Sequence, residues 1–144
     1  MTDNDTISLL KECDSGTKMA VSSIDEILES VKSSELKQLL RESKKHHADL
    51  GNELHRLLAE IGSEEKEPSP TAKGMSWCKT NMKMMMDKSD ATIADLITDG
   101  CDMGIKSLHR YKNQYKTADT QAQDLCLRLI SIEEALRRDL SCYL

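Results

Sequence analysis

Asp14, Thr17, Ser43 and His47 are polar residues at positions where the surrounding pattern calls for apolar ones. An imidazole with carboxylates beside it is a donor set that zinc or iron takes. On that reading His47 supplies nitrogen, Asp14 and Asp102 supply oxygen, and Ser43 and His46 are possible additions. The plainer reading makes Asp14, Thr17, Ser43 and His47 a buried hydrogen-bonded layer, which fixes helix register and carries out no reaction. His46 and His47 point roughly 100° apart on a helix, so the two cannot easily share one ion. A run of methionines (Met82, Met84, Met85, Met86) offers soft thioethers for copper(I), but consecutive helical residues fan around the axis. Packing is the simpler use of that run.

The elements that must position these residues are helices. Residues 34–61 place Leu36, Leu40, Ser43, His47, Leu50, Leu54, Leu57 and Ile61 at alternating steps of four and three, one face of a long amphipathic helix. Gly62 follows, the residue expected just past a helix C-terminus. A first helix over 6–32 carries Ile7, Leu10, Asp14, Thr17, Val21, Ile24, Leu28 and Val31 on one face. Ser33-Ser34 interrupts, and one of the two caps the second helix. So short a connection predicts an antiparallel hairpin whose facing positions have numbers that sum to about 65. The polar breaks of the two stripes then fall at one level.

Residues 63–73 read as a charged Pro/Ser linker, and 74–86 as a short apolar helix that Trp77 anchors. Both belong to a crossover over 63–89. A third helix over 90–115 carries Ile93, Ile97, Gly100, Gly104, Leu108, Tyr111 and Tyr115. A fourth over 118–142 carries Ala118, Ala122, Leu125, Leu129, Ile132, Leu136, Leu140 and Tyr143, with Glu133 and Glu134 off that stripe. A 28-residue helix spans roughly 42 Å. One continuous helix over 74–115 would overhang its partners, so the break at 87–90 predicts two hairpins joined by one long crossover. Gly16, Ala20, Gly100 and Gly104 predict close helix packing rather than a core cavity for a small apolar ligand.

Composition agrees with a single all-α domain of 144 residues. There is no Phe, and two prolines and six glycines leave little turn chemistry for a β fold. A net charge of −5 and no basic run longer than two residues argue against a nucleic-acid partner. No apolar run reaches the length of a membrane span, and the first residues lack the layout of a signal peptide. A cytoplasmic protein is expected, as a homodimer or small homo-oligomer. Five scattered cysteines form no Cys-x-x-Cys and read as small buried hydrophobes, Cys142 excepted.

Several short segments carry a family likeness: Asp14-Ser15-Gly16, Leu36-Lys37-Gln38-Leu39, Glu53-Leu54 with Gly62, Gly74 to Trp77, and Gly100-Cys101-Asp102-Met103-Gly104. Through them the chain resembles the ferritin-like superfamily, and within it a bacterial family of small four-helix domains of unknown function. The resemblance implies a ferritin-like four-helix bundle. It would also imply a di-iron centre built from two Glu and two Glu-x-x-His motifs. This sequence contains no Glu-x-x-His. The expectation is a non-catalytic interaction or structural bundle without a complete di-iron site. The alternative is a metal-binding or redox bundle holding iron or zinc on Asp14, His47 and Asp102.

Overall fold

The computed structural model describes residues 4–62 and 87–144. The expected linker, the helix over 74–86, Trp77 and the methionine run lie outside the described residues. Among the described residues there are four α-helices and no strands: α1 (Asn4–Leu28), α2 (Ser34–Ile61), α3 (Asp90–Gln114) and α4 (Thr120–Leu140), with a 3₁₀ turn at Ser141–Tyr143. No described helix is long and apolar enough to cross a membrane.

Local chemistry sets the helix ends. Ser33, Ser89 and Asp119 are N-caps, each accepting a hydrogen bond from the amide three residues on. Gly62 closes α2 in the left-handed region, at φ 78°, where its amide reaches back to the last turn. α1 stops at Leu28, four residues before the expected 32. Turn bonds from Ser30 N to Ile27 O and from Val31 N to Leu28 O end it, and the amides of Lys32 and Ser33 are bound by the Asp90 carboxylate at 2.8 Å each.

That Asp90 bond fixes the topology. It puts the start of α3 beside the start of α2, so these two helices run parallel. At the opposite end Asp5 accepts from the Thr117 amide and hydroxyl, and Thr6 accepts from the Asp119 amide. α1 therefore starts beside α4. α1 and α2 form one antiparallel hairpin, and α3 and α4 the other. The end of α2 and the start of α3 lie at opposite ends of the bundle.

Within the first hairpin Thr17 faces Gly51 and Asp25 pairs with Lys44. Facing positions thus sum to 68 or 69, not to the expected value of about 65. Residues 29–33 carry the chain further along the axis before it reverses, and the first turn of α2 overhangs the end of α1. Gly51 is required here. A Cβ at 51 would lie 2.9 Å from Thr17 Oγ1 and 3.3 Å from Thr17 Cβ. Gly51→Ala gains helix propensity of about 1 kcal/mol but overpacks by about 2 kcal/mol. A net loss of about 1 kcal/mol is expected in urea denaturation. Adding Thr17→Ala should recover most of it.

The core has two apolar clusters, one at each end. The first joins Leu9, Leu10, Leu50, Leu54, Leu58, Leu125 and Leu129 with the thiols of Cys13 and Cys126. The second joins Ile24, Ile27, Leu36, Leu40, Ile93, Leu136 and Leu140. Between them each helix that reaches the centre carries a polar residue.

Candidate functional site

The layer between the clusters contains Asp14, Thr17, Ser43, His47 and Glu133, all buried. α2 presents His47 because its stripe of fours and threes points every member inward. His47 is fully buried, and both ring nitrogens are engaged. Nδ1 lies 2.8 Å from the Ser43 carbonyl, with the Ser43 hydroxyl at 3.4 Å. A carbonyl can only accept, so Nδ1 carries a proton. Nε2 lies 2.8 Å from Glu133 Oε1 on α4.

The charge state follows from these partners. Burial by itself would push the imidazole down. The hydrogen bond that Nε2 donates to Glu133, the negative charge of Glu133 and the Ser43 carbonyl together outweigh burial and hold His47 above its ordinary value. These partners favour the imidazolium form of His47 against the Glu133 carboxyl at the centre of the bundle. The Cys101 thiol of α3 is a second hydrogen-bond partner of the Glu133 side chain. That carboxyl faces Gly104 of α3: a Cβ there would lie 3.7 Å from Glu133 Cδ and 3.9 Å from each oxygen.

The other expected residues are placed as follows. Asp14 is buried on α1, and its Oδ2 has Lys18 Nζ at 3.2 Å. The contact is an ion pair, and Oδ2 is buried without a hydrogen bond. Thr17 donates its hydroxyl to the Asp14 carbonyl at 2.8 Å. Asp14, Thr17 and His47 border the same groove between α1 and α2, but no hydrogen bond joins His47 to either. Asp102 is half exposed and pairs with Arg137, so the structure does not bring it to His47. His46 is exposed, and its neighbour Asp49 pairs with Lys45 at 2.7 Å. Among the described residues no group of three or more His, Cys, Asp or Glu side chains converges on a point where an ion could sit.

Glu133 is the residue the sequence reading left off its stripe. A signal for it existed. Ala122, Cys126, Leu129, Glu133, Leu136 and Leu140 follow steps of four and three, and all are buried. This stripe overlaps the one read through Leu125 and Ile132, and Ile132 is only half-buried.

A cavity of about 390 Å³ opens between α1, α3 and α4, with His47 and Glu133 at its floor. Gly16, Ala20, Gly100 and Gly104, expected to draw helices together, line it instead. Missing side chains leave room only if no backbone closes in, and the α1–α3 approach here is open. Cys101 also borders the cavity. Burial first, and then the charge of Glu133, push its thiol far up, so it stays protonated and is no nucleophile. Compared with protein-family models, with curated proteins and with solved structures, the chain matches none.

Proposed function

We propose that this chain is a non-catalytic bundle of ferritin-like architecture that works by binding or as a structural element, with an ion pair where di-iron members of that superfamily hold metal. The parallel α2 and α3, with the ends to be joined at opposite ends of the bundle, support the single-crossover arrangement. One observation carries the functional half. Both nitrogens of His47 are hydrogen-bonded, one to a backbone carbonyl and one to Glu133. An imidazolium has no lone pair to give a metal. The pair's place between two apolar clusters suits a residue that fixes register, because a one-turn slip would bury both charges unpaired.

The test is elemental analysis of protein purified without added metal, beside a His47→Ala variant. Iron, zinc, manganese and copper should each fall well below one ion per chain, equally in both proteins. One ion per chain in the parent, lost in the variant, would overturn the reading.

A further inference from the structure

We propose that Cys13 and Cys126 form an oxidation site, at which a hydroperoxide converts the two thiols to a disulfide that ties α1 to α4. The bond would join one hairpin to the other. The two helices run parallel, and their contacts keep one offset. The Thr6 hydroxyl accepts from the Asp119 amide, 113 residues on. Gly16 and Leu129 stand at the same offset, where a Cβ on Gly16 would meet Leu129 Cδ2 at 3.6 Å. Cys13 and Cys126 share that offset and lie between these two contacts. Both are fully buried in one apolar cluster, and their thiols are hydrogen-bonded to each other. Closing such a contact to a bond of about 2 Å draws the helices together slightly. Gly16, one turn from Cys13, puts no side chain in the way. Cys101 belongs to the other cluster and Cys142 is exposed, so neither shares the cluster that holds this pair.

The two thiols have different parts in the reaction. The S–H that Cys13 donates, helped by the charge of Lys112, holds the Cys126 thiol below its ordinary value against burial. Giving that hydrogen bond, and burial, push Cys13 far up. Cys126 is therefore the sulfur that attacks. It bonds to one peroxide oxygen and the O–O bond breaks. The departing oxygen takes the Cys126 proton and leaves as an alcohol, or as water from hydrogen peroxide. Cys126 is then a sulfenic acid. The Cys13 sulfur attacks it, the S–S bond forms, and the S–O bond breaks. Hydroxide leaves with the Cys13 proton as water. Two thiols are oxidised and one hydroperoxide is reduced. Burial sets the rate: neither sulfur is exposed, so the reaction waits on local opening between α1 and α4. Exposed Cys142 is the internal control.

The experiment treats the full, reduced chain with hydrogen peroxide and maps disulfides by mass spectrometry of a non-reduced digest. A Cys13–Cys126 linkage should form, more slowly than Cys142 is oxidised and faster in sub-denaturing urea. The linked protein should unfold at a urea midpoint about 1 M higher, because the bond closes most of the chain into a loop. Dithiothreitol should restore the parent midpoint. In Cys13→Ala, dimedone should trap a sulfenic acid on Cys126; in Cys126→Ala, Cys13 should stay a thiol. If neither variant folds, the linkage map and midpoint of the parent protein decide. Linkage of Cys13 or Cys126 to Cys78, Cys101 or Cys142 in place of each other would overturn the proposal. So would thiols at 13 and 126 that survive complete oxidation of Cys142 in sub-denaturing urea, or a linked protein with a lower midpoint.

Discussion

Glu133→Leu should lower stability by about 3 kcal/mol near neutral pH and reverse the sign of its pH dependence. Removing one partner of a buried pair leaves the other charge uncompensated, which costs more than the pair itself contributes. His47 can escape part of that cost by losing its proton, so the expected loss sits at the low end of the range. The pH dependence follows from linkage. In the parent protein Glu133 holds the folded-state pKa of His47 above its unfolded value. The stabilisation is fully present below about pH 6.5 and is lost as pH rises through the raised folded value. In the variant only the Ser43 carbonyl still opposes burial, the larger of the two effects, and the folded value falls below the unfolded one. Stability should then be least in acid and should rise with pH. Urea denaturation between about pH 5.5 and 8.5 checks both signs. The same slope in both proteins would mean that His47 and Glu133 do not form an ion pair. Replacing both residues by leucine should restore most of the loss.

Asp90→Ala should cost about 2 kcal/mol. Its two carboxylate oxygens accept from the Lys32 and Ser33 amides, and Ser33 is in turn the N-cap of α2. One side chain therefore binds the turn of the first hairpin to the start of the second. Bonds to a charged acceptor are stronger than neutral ones, but the Lys32 bond is exposed and is discounted for that. Asp90→Asn keeps one acceptor and should lose about half as much. A loss no larger for alanine than for asparagine, in thermal or urea denaturation, would show that the second bond contributes nothing.

The legibility of this fold in its sequence differs from helix to helix. α2 was plain, because its apolar face is narrow and nothing competes with it: seven of the eight stripe positions are buried, and Ile61 is half-buried. α1 was read with too narrow a face. Leu9, Cys13 and Ile27 are buried beside the stripe, since α1 touches three other helices. α4 carried two overlapping stripes, and choosing the one through Ile132 hid Glu133. The partner of His47 was therefore missed, although His47 itself was not. Asp102 is expected as a carboxylate ligand beside His47, yet Arg137 of α4 pairs with it at the surface. The hairpin register depended on where α1 stops, and the bond that stops it comes from Asp90, far along the chain.

The two apolar clusters have a kinetic consequence. Each draws its residues from both hairpins: Leu54 shares one with Leu125 and Leu129, and Leu40 shares the other with Ile93 and Leu136. Neither hairpin owns a core. A hairpin formed alone during folding leaves much of its inward face wet, so the costly step is the docking of two half-built pairs, set by contacts more than fifty residues apart such as Asp90 to Ser33. Local helix formation is fast, but the transition state waits for the hairpins to meet, and the bundle should appear and disappear as one cooperative unit.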